Sequence, residues 1–185
     1  MRDTAALARE RGLRLHTHLA ETLDEERYCL ETTGQRPLAY MESVDWLGPD
    51  VWYAHGIHFD DAELAQLAAT KTGVAHCPGS NMRLGSGIAR VPELTAAGVP
   101  VGLAVDGSAS NDASDILAEA RLALLLHRLG SGVTAMTALD ALWLATRGGA
   151  QVLGWEQELG SLEPGKLADV AVFRVDDLSH AGGLH

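Results

Sequence analysis

The hydrophobic positions of the chain form short runs, separated by longer stretches in which apolar residues recur every three or four positions. The runs are LRLHTHLA at 13–20, VWYAHGIHF at 51–59, GVAHC at 73–77 and VPVGLAVD at 99–106. Their length and composition predict buried strands, and the stretches between them predict helices that end at a glycine. Strands that alternate with helices pair in parallel through right-handed crossovers, so the pattern predicts an α/β fold.

Three details extend this prediction. Asp60 followed by Glu63 has the spacing of a capping box and predicts the start of a helix. After the fourth strand, Leu and Ala at helical spacing predict two long helices, and we expect His127 to lie on the surface of the first. A proline-glycine pair then predicts a turn, and residues 168–173 a short strand that belongs to a different layer.

Each predicted strand carries His or Asp at or near its carboxyl end, where a loop follows. In (β/α) barrels the active site is built at this face, so four such ends in succession predict four consecutive units of one barrel. A hydrolytic metal centre needs imidazole and carboxylate ligands that converge from separate strands. His18, His55 and Asp106 occupy such positions. His16 shares the side of His18, because side chains alternate along a strand, and we expect it to be structural.

Composition and charge exclude some classes of partner. The chain has 185 residues, 46% of them hydrophobic, and a formal net charge of −11 at pH 7. This charge disfavours binding to nucleic acid or to a membrane surface and leaves small neutral or cationic ligands open. Cys29 and Cys77 form no CxxC pair, and the chain shows neither a signal-like apolar run nor a membrane span, so we expect a cytoplasmic protein.

The ordered motifs HTHLAE, AHGIH, HCPGSNMRLGSG, VDGSASND and GSLEPGKLADV resemble the amidohydrolase superfamily, in particular its branch of cytosine, guanine and triazine deaminases. The resemblance implies that residues 1–155 form strands five to eight of a (β/α)8 barrel with its terminal helices. Residues 156–185 would return into the small β-sandwich that flanks such barrels. His16 and His18 are not the family's first-strand HxH pair, because Glu21 stands three positions after His18, as it does on the fifth strand of the family. The first-strand pair therefore has no counterpart in this sequence. We therefore expect the C-terminal part of a longer enzyme, which the resemblance implies to be a homo-oligomer.

The resemblance also implies a reaction and the roles of individual residues. One divalent metal ion, zinc in preference to iron, would be bound by His18, His55 and Asp106. Asp106 would act as the general base, His55 would steady the attacking nucleophile, and Glu21 would donate a proton to a ring nitrogen. The implied reaction converts an aromatic ring amine to a carbonyl with release of ammonia, and the favoured substrate is 8-oxoguanine or a similar purine.

Candidates for substrate binding follow the third predicted strand. Asn81 and Arg83, in the glycine-rich loop at 79–87, are placed to orient the polar edge of a base, Arg83 through a fork of hydrogen bonds to a carbonyl. His76 and His58 either line the pocket or support the strand ends.

We expect Asn111 and Asp112 to cap the helix that begins near Ser114.

Two alternative functions remain open. A triazine chlorohydrolase or aminohydrolase would share every metal ligand with a purine deaminase. A non-catalytic fragment of such an enzyme is the alternative from a different class, since an open half-barrel leaves strand edges without partners.

Overall fold

The fold is an α/β arrangement built on one parallel sheet, as predicted. A computed structural model describes residues 1–174. The four strands are β1 (Leu15–Leu19), β2 (Val51–His55), β3 (Gly73–His76) and β4 (Val101–Leu103), and they pair in parallel in the order β1-β2-β3-β4. The helices are α1 (Arg2–Glu10), α2 (Leu23–Thr33), α3 (Pro37–Ser43), α4 (Asp61–Thr70), α5 (Pro78–Leu84), α6 (Val91–Ala96), α7 (Ile116–Ser131), α8 (Ala138–Trp143) and α9 (Gly149–Leu153).

Alternation along β1 separates the core from the face that carries chemistry. Leu15 and Leu19 are 4% and 5% exposed and belong to the hydrophobic core. His16 and His18 lie on the opposite side of the strand and are exposed, with their ring centroids 5.9 Å apart. The two histidines therefore share one side of the sheet, as the period of two predicted.

The core joins the sheet to its helices. Buried strand residues Val51, Tyr53, Val74 and Val101 lie in one cluster with helix residues Leu38, Leu67 and Leu94, all of them 0% exposed. The capping box predicted at Asp60 and Glu63 is present at the start of α4. Because a close-packed core resists small displacements, the carboxyl ends of the strands are held in fixed relative positions.

One contact between strand and helix requires glycine. A π-helical turn (Leu144–Gly148) joins α8 to α9, and its end packs against β4. A Cβ atom on Gly102 would lie 2.7 Å from the Gly149 Cα, and a Cβ atom on Gly148 would lie 2.3 Å from the Val101 carbonyl oxygen. Backbone therefore meets backbone here, and a side chain on either surface would push the layers apart.

Several sequence expectations about individual segments were wrong. The stretch expected as a loop at 79–87 is largely helix α5, because Pro78 suits a first helical turn and the helix continues until Gly85 in a left-handed conformation. The second long helix is divided by the π-helical turn. Helix α7 is capped by Asp115, whose carboxylate accepts the Leu117 and Ala118 amides. Asn111 and Asp112 are therefore not its caps.

The strand predicted over 168–173 is not formed. These residues have no regular structure, and Val170, Val172 and Phe173 are 57%, 90% and 50% exposed. A strand needs a neighbouring strand to satisfy its backbone groups, and the described residues offer none here. Residues 175–185 of the predicted return segment lie outside the described residues. Within residues 1–174, no helix is both long and apolar enough to span a membrane.

The Gly102 contact gives a testable prediction. We expect Gly102→Ala to lower the free energy of unfolding by about 1–3 kcal/mol, because the added methyl group meets backbone that cannot move aside. Chemical denaturation of the purified chain measures this. Gly130→Ala, within helix α7, is the matched control, because its Cβ atom would meet only the Ile88 Cδ1 atom, at 3.6 Å. We expect this variant to be more stable by up to about 1 kcal/mol, because alanine favours a helix more than glycine does. Equal stabilities for the two variants would contradict this account of the packing.

Candidate metal centre

The site begins where the strands end, in backbone that is strained. Ala20 follows β1, His55 ends β2 and Asp106 follows β4, and their φ angles are 53°, 72° and 63°. Residues with a Cβ atom rarely adopt this left-handed region, and such conformations concentrate at functional sites. The chain therefore turns sharply at the carboxyl ends of β1, β2 and β4, and His55 and Asp106 meet in the same space.

Three predicted ligands converge there. The candidate ligand atoms of His18, His55 and Asp106 all lie within 4.8 Å of one another. His18 Nε2 is 3.6 Å from Asp106 Oδ1, and His55 Nε2 is 3.8 Å from Asp106 Oδ2. Ligand atoms around one tetrahedral zinc ion with bonds of 2.0–2.1 Å lie about 3.3 Å apart. The observed spacings therefore need only a small adjustment to close on one ion.

His55 is prepared for such a role by Asn81. The His55 side chain is 1% exposed, and Nδ1 lies 2.7 Å from Asn81 Oδ1. Because Oδ1 can only accept, Nδ1 carries the proton and the lone pair of the ring belongs to Nε2. Buried Nε2 has no hydrogen-bond partner among the described residues. A buried nitrogen lone pair without a partner, beside a carboxylate and a second imidazole, fits a metal ligand.

Asp106 is held by two serine hydroxyls. Ser80 Oγ donates to Asp106 Oδ2 at 2.6 Å, and Ser110 Oγ donates to the same oxygen at 3.1 Å. Burial acts to raise the pKa of Asp106, but hydrogen bonds from Ser80, from the Gly107 backbone and from Ser110, together with the nearby His55, outweigh it and keep the pKa below its usual value. The carboxyl group is therefore ionised at neutral pH, as a ligand must be.

Glu21 lies at the edge of the same cluster. Its Oε2 atom is 3.6 Å from His55 Nε2, and Ser86 Oγ donates to Oε1 at 3.4 Å. The backbone that carries it is clamped by Glu25, whose two carboxylate oxygens accept the Ala20 amide at 3.0 Å and the Glu21 amide at 2.8 Å. The clamp stabilises the sharp turn after β1 and holds the Glu21 side chain within reach of the cluster.

The structure does not bring every predicted site residue to the cluster. Asn81 is 0% exposed and lies behind His55, so it supports the histidine. Arg83 is directed away, on the surface of α5, where its guanidinium donates to Asp112 at 2.5 Å. His16 is stacked on Trp52 with ring centroids 4.9 Å apart, and this fits the structural role expected for it.

His76 is paired with a histidine that we expected on the surface. Their Nε2 atoms lie 3.2 Å apart, and His127 is only 1% exposed, so the surface position predicted for His127 was wrong. Burial, the neighbouring His127 and then His55 lower the pKa of His76 to about 3, and burial lowers the pKa of His127 to about 4. Both rings are therefore neutral at pH 7, and His76 belongs to the layer between the sheet and α7.

Four residues that support the site were not predicted from the sequence. Ser80 and Ser110 bind Asp106, Glu25 clamps the turn after β1, and Glu119 joins two segments behind the cluster. Glu25, Ser80 and Ser110 lie four positions beyond Glu21, His76 and Asp106, respectively, and this spacing was the available signal. Glu119 lies within α7, and no local pattern indicates its contact with the site.

Comparison with known proteins places this geometry in a family. The model of the amidohydrolase family matches residues 1–182. This chain belongs to the amidohydrolase family. Over 182 residues it is 54% identical to the 8-oxoguanine deaminase of Pseudomonas aeruginosa, and the match covers 98% of this chain and 40% of that protein. The chain therefore spans about 40% of the length of this amidohydrolase.

Solved structures of other amidohydrolases share the fold. An adenosine deaminase from Xanthomonas campestris with bound zinc is 32% identical with a TM-score of 0.93, and the match covers 100% of this chain and 42% of that one. An atrazine chlorohydrolase from Arthrobacter aurescens, complexed with zinc, is 35% identical with a TM-score of 0.88, and the match covers 96% of this chain and 40% of that one.

The contact between Asn81 and His55 gives a prediction about metal affinity. We expect Asn81→Leu to weaken zinc binding by about ten- to hundredfold, because His55 loses the acceptor that fixes its tautomer. Asn81→Asp is the matched control, because it keeps an acceptor oxygen, and it should bind zinc at least as well as the native chain. Competition with a chromogenic chelator measures both dissociation constants. Similar affinities in the two variants would show that Asn81 does not orient His55.

Proposed function

We propose that this chain supplies a one-metal hydrolytic centre that replaces an amino group on an aromatic ring by a carbonyl and releases ammonia. The observation that carries the proposal is the convergence of His18, His55 and Asp106, with Glu21 beside them. Two imidazoles and one carboxylate suit zinc or iron, and we propose zinc because two related structures contain it. A bound divalent ion supplies a Lewis acid and lowers the pKa of water.

The residues of the chain divide the remaining work. Asp106, ionised and fixed by two hydroxyls, is placed to accept a proton from the attacking water. His55 would hold the metal through Nε2, because its Nδ1 is engaged with Asn81. Glu21 is 23% exposed, so it reaches the space in front of the cluster and can exchange a proton with a ring nitrogen of a bound substrate. Protonating that nitrogen makes the adjacent ring carbon more electrophilic. Asp106 can then return the proton of the water to the amino group, which leaves as ammonia.

We propose a purine of the 8-oxoguanine type as the substrate. The support is the 54% identity to an 8-oxoguanine deaminase. A triazine hydrolase is the second candidate, because the atrazine chlorohydrolase shares this fold at 35% identity. We also propose that the four strands correspond to strands five to eight of a (β/α)8 barrel, since the parallel strand order and a cluster of candidate ligands at the carboxyl ends agree with that architecture.

An ammonia-release assay tests the proposed function. The zinc-loaded protein is incubated with 8-oxoguanine, with an amino-substituted triazine and with no substrate, and ammonia is measured over time. Ammonia from 8-oxoguanine alone supports the purine deaminase, and ammonia from the triazine alone supports the second candidate. A folded, zinc-loaded chain that releases nothing would contradict catalysis by this chain and favour the non-catalytic alternative.

Glu21→Gln separates metal binding from proton transfer. We expect zinc affinity within about twofold of the native value, because Glu21 is outside the ligand set, and a loss of turnover of about a hundred- to ten-thousandfold, because the amide cannot exchange the proton. Glu31→Gln on the exposed surface of α2 removes the same charge away from the site and should change neither quantity. Native turnover in the Glu21 variant would remove this residue from the mechanism.

A further inference from the structure

Behind the ligand cluster, a buried glutamate joins the two segments that hold Asp106, the start of α5 and the loop after β4. Glu119 lies on α7 and is only 2% exposed. Its Oε2 atom accepts the Gly79 backbone amide at 2.9 Å, and its Oε1 atom accepts Asn111 Nδ2 at 2.8 Å. One carboxylate therefore binds the start of α5 with one oxygen and the loop after β4 with the other.

Glu119 approaches the backbone of Gly79, at the start of α5, as closely as the backbone permits. A Cβ atom on Gly79 would lie 2.4 Å from Glu119 Oε1 and 3.1 Å from Oε2. Only glycine leaves room for the carboxylate at this position, and a buried carboxylate without hydrogen-bond donors is unfavourable by several kcal/mol. The two donors on these segments and the carboxylate on α7 therefore require one another.

Each of the two segments bound by Glu119 carries one of the hydroxyls on Asp106. Ser80 directly follows Gly79, and Ser110 directly precedes Asn111. Ser80 Oγ also lies 2.8 Å from Ser110 Oγ, so the two hydroxyls form one network around Asp106 Oδ2. A shift of the start of α5 would move the Ser80 hydroxyl away from the Asp106 carboxylate, and a shift of the loop after β4 would move the Ser110 hydroxyl away from it.

We infer that Glu119 is a positioning residue of the metal centre, which holds Ser80 and Ser110 on Asp106 by accepting one hydrogen bond from the start of α5 and one from the loop after β4. This inference rests on the proposed metal centre at His18, His55 and Asp106. Glu119 touches none of these three residues in the contacts of the described chain, and it acts through Gly79 and Asn111 alone.

The polarity of the network makes the inference testable. Asn111 Oδ1 accepts the Ser114 amide at 3.3 Å, while Asn111 Nδ2 donates to Glu119. Glu119→Gln leaves one acceptor and places an amide NH2 group opposite a donor, so one contact is lost. Adding Asn111→Asp reverses the second contact: the new carboxylate accepts from the amide at 119 and still accepts the Ser114 amide. The double variant therefore restores every hydrogen bond with the same number of carboxylates.

The experiment compares the native chain, Glu119→Gln, Asn111→Asp, the double variant and the surface control Glu42→Gln. Circular dichroism establishes folding, amide hydrogen exchange reports the Gly79 and Ser114 N–H groups, and chelator competition gives the zinc dissociation constant. We expect each single variant at 119 or 111 to weaken zinc binding about tenfold or more, and the double variant to return to within about threefold of the native chain. The control should match the native chain.

The outcomes separate the two proposals. Rescue of zinc affinity together with native protection of the Gly79 amide supports positioning by hydrogen-bond polarity, because the second substitution restores only the hydrogen bonds that join Gly79 and Asn111 through residue 119. Native zinc affinity in Glu119→Gln, or a double variant no better than the single variants, would overturn the role of Glu119. A native chain that binds no zinc would overturn the proposed metal centre and the positioning claim with it, whereas the exchange data would still report whether the hydrogen bonds exist.

Discussion

Parallel pairing of four strands in one register is the constraint on which the rest of the structure depends. The register pairs Leu19 with His55 and His76 with Leu103, so neighbouring strands end at the same level. Side chains that are far apart in sequence therefore meet at one edge of the sheet, and a buried core holds this edge in place. Without that pairing, His18, His55 and Asp106 would be three unrelated polar residues.

The polar network around the site offsets the strain that the strand ends impose. Non-glycine residues in the left-handed region cost about 1–3 kcal/mol each, and Ala20, His55 and Asp106 all adopt it. The Glu25 clamp, the Asn81 acceptor and the two serine hydroxyls each bind at or beside one of these turns. The same hydrogen bonds that keep the backbone in place also orient the candidate ligands, so the stability and the chemistry of this edge have common causes.

Sequence reasoning predicted the parallel sheet and the proximity of His18, His55 and Asp106, but not the contacts that support them. Strand ends and the residues on them follow from local alternation, and for this reason His18, His55 and Asp106 were predicted together. His127 was misplaced because its partner His76 is 51 positions away, and no local pattern reveals such a pair. Asn81 was expected to face substrate because its segment was taken as a loop, whereas Pro78 begins a helix that carries the side chain behind His55. The prediction of a strand at 168–173 was wrong, because a strand forms only where it pairs with another strand, and the propensity of its residues does not reveal such a partner.

The central claim is that one divalent ion is held by two imidazoles and a carboxylate from three different strand ends. X-ray absorption at the zinc edge of the metal-loaded chain tests it most directly, since it distinguishes light ligand atoms from sulfur. The account predicts nitrogen and oxygen neighbours at about 2.0–2.2 Å, with the outer-shell signal of two imidazole rings. Cys77 is not a ligand on this account, because the group of described residues that could hold one ion consists of His18, His55 and Asp106. A sulfur neighbour at about 2.3 Å, or fewer than two imidazoles, would contradict it.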